Sequence, residues 1–440
     1  MRSIRCKNPF RPRNDPCPST SDAIASGGSS DTGRSVGIAA SGVGFPAIAR
    51  AQKPPAEVEI GVVYPLSGPT GPMGQNGVRG WTIAVDEINE AGGIKSLGGA
   101  KLKTLLRDSE SNPKIGLAET EKLVRTNVVA IVGAWNSNVT FPATQLAEEA
   151  KVPWITEMAA QDEITRRGFR YTFRVSPEAS RQAADMVDFV GDMGQRTGKK
   201  ARTAGVIGTD DAWGKTISKG LHAAFKKGSI ESVGDLYYPV KATDLTVEVA
   251  TLAAKKPDVW FITSQLNDAV LITRALHQQK VQALAFITSA SGFMDPKYVP
   301  LVGKLGSYFL TFSFYDFDLN SEWEQNLDKK VRARYNVPSN HFSSAMYGTA
   351  YLLRDILEKV GSTDREKIRD ALEAVDIRSG PVMILPGTGV KFDKNHDNVL
   401  AKIVMAQLFG GNWRTVWPLE RKRKFDPVWP RPSWAEIEKL

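Results

Sequence analysis

The chain has 440 residues, 42% hydrophobic and 24% charged. That is ordinary globular usage, and it is too long for one ordinary core. No apolar run reaches the ~18–20 residues that cross a bilayer. The net charge of +9 falls to +5 once residues 1–51 are set aside, because they hold seven of the 57 basic and three of the 48 acidic residues. So modest an excess makes no case for nucleic acid.

Residues 1–51 are rich in Ser, Gly, Pro and Arg and contain both cysteines, Cys6 and Cys17. The remainder therefore needs no disulfide, and thiol chemistry is excluded there. Arg34 precedes a weakly apolar run, Val36–Ile48, which closes on Ala49-Arg50-Ala51. These read as the n-region, h-region and A-x-A site of an export signal, with cleavage between Ala51 and Gln52. The end of the run, FPAIARAQ, resembles that of twin-arginine signals, although a single arginine stands where a pair is expected. Residues 1–33 make an overlong n-region or a misassigned start. The alternative is a disordered N-terminal tail on a cytoplasmic protein. No L-x-x-C lipobox surrounds either cysteine, so no lipid anchor is expected.

Ile60–Leu66 is a short β-branched run, a buried strand. Ser67–Gly74 is a loop of Gly, Pro and small polar residues. A helix follows from about Gly77, with Val78, Trp81, Val85 and Ile88 on one face, Ile83 off it, and Gly92-Gly93 as its end. Lys101–Arg107 is a strand with Asp108 at its end, and Ser111-Asn112-Pro113 opens a helix. Val128–Gly133 is a strand, Trp135–Thr140 its loop, Pro142–Ala150 a helix and Val152–Thr156 the next strand. This alternation predicts a parallel sheet covered on both faces. Tyr171–Val175 leaves that domain.

The pattern then repeats. Strands are expected at Thr203–Ile207, Asp258–Thr263 and Leu284–Thr288, with an extended stretch at Ile230–Val240. Helices are expected at Pro177–Met193, Gly214–Lys227, Leu245–Ala254 and Asn267–Gln279. Tyr308–Phe314 reads as a return segment, followed by helices at Asn320–Arg334, Ser344–Val360 and Arg365–Ala374. Gly380–Phe392, Asn398–Leu408 and Trp413–Trp417 read as extended, and Glu420–Leu440 as a surface tail. The fold class is therefore α/β, with two doubly wound parallel-sheet domains.

The stretch PLSGPTGPMGQNGVRGWTIAVDEINEAGGI, residues 65–94, closely resembles the start of the Leu/Ile/Val-binding family of type I periplasmic binding proteins, the solute receptors of ABC importers. The resemblance covers about Glu57–Pro418 and implies three hinge crossings, near Val175–Ser176, Ser307 and Asn398–Ala401. The implied domains are residues 52–175 with 307–398, and 176–306 with 399–418, leaving 1–51 as leader and 419–440 as tail. It further implies a periplasmic monomer that closes on a small amino acid, carboxylate or amide and delivers it to an ABC permease. The alternatives are a cytoplasmic amide or amino-acid sensor of the same fold and, less favoured, a dinucleotide-dependent enzyme.

Ser67–Gly74 follows a strand and precedes a helix, as a phosphate loop does. Its glycines are not spaced as G-x-G-x-x-G, and Pro69 and Pro72 remove two donors. A cleft-lining loop is the better reading, and the resemblance implies Met73 as a cover over the ligand. Ser137 stands where a hydroxyl and helix N-terminal amides suit a carboxylate, unless Ser137 or Thr140 simply caps the helix. The resemblance favours Ser137 on the ligand carboxylate. It implies backbone donors at Ala159 and Ala160, the latter where a Thr is common in the family. These alanines read equally as packing residues. Trp213 matches an aromatic lid position, and Gln265 follows a strand toward the same cleft, where a solvated loop glutamine is the alternative.

Ala290 falls where amino-acid-binding members place an acid. Burying an ammonium without an anion costs several kcal/mol, so the ligand is expected to lack an amino group unless Asp210 or Asp211 substitutes. Phe314 or Tyr315 adds an aromatic wall. Ser111 and Asn136 match a disulfide of some relatives and are expected to lie close together. No H-E-x-x-H, G-x-S-x-G or C-x-x-C is present, and the four histidines show no ligand spacing. Neither catalysis, a cofactor nor a metal is expected.

Overall fold

The computed structural model describes residues 54–239, 242–318, 321–385, 387–419 and 424–440. The leader, its two cysteines and most of the basic run Arg421–Lys424 lie outside the described residues. The chain opens with β1 (Glu57–Tyr64), α1 (Gly71–Glu90), β2 (Lys101–Asp108), α2 (Pro113–Val124), β3 (Ala130–Gly133), α3 (Ser137–Glu149), β4 (Trp154–Thr156) and β5 (Thr172–Arg174). The five strands form a wholly parallel sheet in the order β2-β1-β3-β4-β5.

The second array runs α4 (Ala179–Thr197), β6 (Thr203–Thr209), α5 (Ala212–Gly228), β7 (Glu231–Tyr238), α6 (Thr246–Ala253), β8 (Val259–Thr263), α7 (Leu266–Gln278), β9 (Ala285–Thr288), α8 (Tyr298–Val302) and β10 (Leu310–Ser313). Then come α9 (Glu322–Tyr335), α10 (His341–Val360), α11 (Arg365–Glu373), a small hairpin β11 (Asp376–Ile377) and β12 (Val390–Lys391), then β13 (Val404–Phe409), β14 (Asn412–Trp417) and α12 (Trp434–Ile437). The second sheet has the order β14-β13-β10-β9-β8-β6-β7, in which β13 alone runs against the others, antiparallel to both of its neighbours β10 and β14. Buried strands such as Val259–Thr263 read as continuous apolar runs because helices cover both sheet faces.

Several boundaries differ from the expectations. α1 begins at Gly71, inside the expected loop, because Pro72 sits at the first turn, where its missing N–H is no loss. Ile83 is buried too, since α1 packs on the sheet and on α10 at once. That second contact needs Gly80, where a Cβ would stand 2.0 Å from the Ser343 carbonyl oxygen. Pro142 lies inside α3 rather than at its start, since Ser137 already opens the helix. Residues 381–384 are a short 3-10 turn, not a strand.

Two corrections concern topology. Tyr308–Phe314 does not return to the first half: β10 pairs with β9 and β13 in the second sheet. The chain leaves that sheet after Ser313, not at Ser307, because Leu310–Ser313, buried along its whole length, completes a strand there. The segment expected as a surface tail is docked: Trp429, Trp434 and Ile437 are buried. Trp434 donates its indole N–H to the Val281 carbonyl at 2.7 Å, and the Arg431 guanidinium lies 3.9 Å from its ring. Prolines 427, 430 and 432 masked this as a loop signal, whereas the tryptophans carried the packing.

Between the sheets, the first and third crossings run side by side. The Arg174 amide donates to the His396 carbonyl at 3.0 Å, and the Asn398 amide to the Arg174 carbonyl at 3.0 Å. The Asn398 side chain also donates to the Val175 carbonyl at 3.0 Å.

Candidate functional site

The loops at the carboxyl ends of the strands enclose a cavity of about 170 Å3, the position where α/β sheets bind ligands. Pro69, Thr70 and Ser111 come from β1 and β2, Trp135–Asn138 follow β3, and Met158 and Ala160 follow β4. From the other side come Asp211–Trp213 after β6, Gln265 after β8, Ser289–Ser291 after β9, and Phe312 and Phe314 at β10. Gln182 of α4 and His341 and Phe342 of α10 complete the lining.

The polar groups on the first side are mostly donors. Ser137 is the first residue of α3, and its amide and that of Asn138 have no intrahelical acceptor. The Ser137 hydroxyl oxygen accepts the Gln161 N–H at 3.2 Å, which leaves its own proton free. The Ala160 carbonyl is taken by the Ala179 amide, while the Ala160 amide meets no backbone acceptor among the described residues. Three amides and a hydroxyl at a helix N-terminus suit an anion or a strong acceptor.

Ala159 does not line the cavity. Its amide donates to Thr156 Oγ1 at 3.2 Å and its carbonyl accepts from Arg174 at 3.1 Å. Met73 does not line it either; α1 starts earlier than expected and turns the side chain into the buried cluster with Met158 and Ala160. Ser111 and Asn136 lie close but are not bonded to each other. The Thr70 hydroxyl bridges them, 2.7 Å from Ser111 Oγ and 3.5 Å from Asn136 Oδ1.

On the second side, Trp213 is half-buried in the first turn of α5, so it is a helix residue and not a loop one. Gln265 precedes α7 and accepts the Ser291 hydroxyl proton at 2.9 Å, so its amide N–H2 is free to donate. Ser289 accepts from Thr263 Oγ1 at 3.0 Å and keeps its own proton for another partner. Ala290 lines the cavity with no carboxylate beside it in the loop. Among the described residues, Asp211 is the only carboxylate in the lining. It caps α5, accepting the Gly214 N–H at 2.7 Å, and burial raises its pKa. Asp210 faces away into an ion pair with Lys215. Of the aromatic pair expected as a wall, Phe314 lines the cavity and Tyr315 does not; its hydroxyl is 2.7 Å from that of Ser339.

The aromatic wall is larger than the sequence suggested. Trp135 meets Phe342 edge-on with centroids 5.1 Å apart, and Phe314 stacks on His341 at 4.7 Å. Burial pushes His341 down to about 3, so its ring is neutral. His341 and Phe342 went unnoticed because the helix was expected from Ser344. The signal present was the capping box Asn340-x-x-Ser343, both halves of which form.

Glu157 sits directly before the Met158 loop, fully buried, with neither oxygen hydrogen-bonded. The Tyr64 hydroxyl, buried as well, is its neighbour. Burial raises Glu157 to about 7. The folded state therefore binds more protons than the unfolded one between the ordinary carboxylate value and that point, so stability falls as pH rises through this window. Glu157→Gln should melt higher than the wild type at pH 8, by roughly 1–3 kcal/mol, and equally at pH 5. A pH-independent difference in melting would show that Glu157 is not the titrating group.

A family model described as periplasmic binding protein matches residues 57–412. The chain belongs to this family. Among its relatives is the Leu/Ile/Val-binding protein homolog 8 of Brucella suis biovar 1 (strain 1330), 30% identical over 395 residues, which are 88% of this chain and 95% of that protein. Homolog 7 of Brucella abortus (strain 2308) is 29% identical over 374 residues, 82% of this chain and 92% of the relative. Solved structures share the fold. A leucine-binding protein from Thermotoga maritima MSB8 superposes with a TM-score of 0.71 at 20% identity, covering 81% of this chain and 97% of its own. A solute-binding protein of an ABC transporter from R. palustris, in complex with benzoate, does so at 0.69 and 23%, covering 82% and 95%. This periplasmic binding protein is thus a solute-binding receptor of the Leu/Ile/Val-binding family.

Proposed function

We propose that this chain is the exported receptor of an ABC importer and that its solute is a small carboxylate or amide without an amino group. The supporting observation is the polarity of the cavity. Ser137, Ser289, Gln265 and the amides at α3 can all donate, whereas among the described residues no lysine or arginine lines it and the one carboxylate, Asp211, is engaged as a helix cap. An acid group would lie on Ser137 and the α3 amides, and the apolar part of the solute against Trp135, Phe314 and Trp213. A cavity of ~150 Å3 is known to admit a benzene ring, and one structural neighbour was solved with benzoate. Ligand contacts to both sheets would favour the closed arrangement of the two halves.

One observation favours a second reading. Asp211 is half-buried at the cavity and forms no ion pair among the described residues, and the ammonium of an amino acid would supply one. A thermal-shift screen separates the two, since a ligand of the native state raises the melting temperature by mass action. Aromatic and aliphatic acids should raise it, and branched-chain amino acids should not. Asp211→Asn should leave acid binding unchanged. Loss of all binding in that variant, with leucine effective on the wild type, would establish the amino-acid reading. Ser137→Ala should weaken acid binding by about 1–3 kcal/mol, measured by calorimetry. Export follows from the leader reading; a mature N-terminus at Gln52 in the periplasmic fraction tests it against a cytoplasmic sensor.

A further inference from the structure

His341 is the first residue of α10 and is buried to 2% exposure, yet it lines the cavity. Its Nδ1 accepts the Phe314 N–H at 2.9 Å. An imidazole whose Nδ1 accepts and whose ring is neutral carries its proton on Nε2. That proton has no acceptor among the described residues, and Nε2 is not sealed in the interior as an unpartnered atom. The space it meets is the cavity. The ring cannot turn away: it is stacked on Phe314 with planes 14° apart and held edge-on by Phe342 at 5.0 Å. No carboxylate stands close enough to hold a second proton on it, since burial is the sole influence on its titration.

We propose that His341 is a specificity-determining residue that donates Nε2–H to an uncharged oxygen of the solute, a hydroxyl, ether or carbonyl, lying on the aromatic wall apart from the carboxylate. The proposal rests on the reading of the solute as a small acid. The carboxylate is drawn to the α3 amides and the helix dipole. Beside Phe314 and Phe342 an ionised oxygen would lose its hydration with little return, whereas a neutral acceptor completes a donor that is otherwise left unpaired. A site built with a buried donor rejects solutes lacking the acceptor far more strongly than an apolar pocket rejects one extra group.

The test is a ratio of affinities measured by calorimetry on the mature protein. The probes are 3- and 4-hydroxybenzoate against 3- and 4-methylbenzoate, with threonine against valine as a further pair differing only by hydroxyl for methyl. At one position or the other the hydroxyl compound should bind about tenfold tighter or more. His341→Asn keeps an acceptor for the Phe314 amide but withdraws the donor, and should bring that ratio to about one. His341→Gln, whose amide nitrogen reaches the Nε2 position, should restore part of the preference. Equal binding of hydroxyl and methyl probes by the wild type would overturn the proposal, as would a ratio unchanged in His341→Asn. If only threonine and valine bind, the acid reading has failed. The His341 assignment is then decided by the threonine-to-valine ratio alone.

Discussion

Asp397→Ala is expected to cost about 3–5 kcal/mol of stability, read as a lower urea midpoint with an unchanged slope. Arg174 is completely buried, and its Nε donates to Asp397 Oδ1 at 2.7 Å. Both carboxylate oxygens also accept from the Thr165 hydroxyl at 3.0 Å. Removing the carboxylate leaves a guanidinium in the interior without its hydrogen-bonded counter-charge, which is far worse than losing the pair as a whole. The same guanidinium holds the Ala159 carbonyl at 3.1 Å and that of Gln161 at 2.7 Å. These flank Ala160, which lines the cavity. The substitution should therefore also weaken solute binding. The double variant Arg174→Met, Asp397→Leu separates the two effects. It should recover much of the stability, because an apolar pair replaces an ion pair, yet bind no better than the single variant. Full recovery of binding in the double variant would show that the loop does not need Arg174.

The second large effect is expected at the far end of the chain. Trp434→Ala should destabilise the protein by about 3–5 kcal/mol, and truncation after Val428 by at least as much. A surface tail would change stability by about 0.5 kcal/mol or less. Trp434 is 1% exposed, packs on Phe286 with ring centroids 6.2 Å apart and lies under Arg431. The Arg431 backbone amide donates to the Leu284 carbonyl at 2.8 Å, beside β9. No residue of the 424–440 segment lines the cavity, so the affinity of what remains folded should be unchanged. A melting temperature unmoved by the truncation would contradict the docked arrangement.

The strand and helix order was legible because the apolar periods are strong. Ile60–Tyr64 and Val259–Thr263 are continuous runs, and α1, α4 and α5 carry clear stripes. The second crossing was misplaced because β10 is a short buried strand like any other, and sequence does not say which sheet will take it. Among site residues, Ser137, Ala160, Trp213, Gln265 and Ala290 line the cavity, since each stands just past the end of a strand. Met73 and Ala159 fell out for local reasons: an early helix start, and an amide already used by Thr156. Gln182 was invisible because it arrives from a helix away from the strand ends, whereas His341 and Phe342 were missed because the start of α10 was placed at Ser344. Only the pairing of Nδ1 with the Phe314 amide tells what His341 can offer.

Ala290 and Ser291 both have positive φ, 48° and 44°, where a side chain costs on the order of 1 kcal/mol or more. The loop is held in that shape from outside. The Ala290 amide donates to Thr311 Oγ1 at 3.1 Å, and Gly292 lies so close to the Gln265 backbone that a Cβ would come within 2.1 Å of it. The cost is met once, when the chain folds. An arriving solute finds this wall already shaped and need not slow its motions, so little of the entropy lost on binding arises here. Selectivity at this wall is then that of a mould and not of a hand: a solute that does not match an outline held by Thr311 and the Gln265 backbone is turned away.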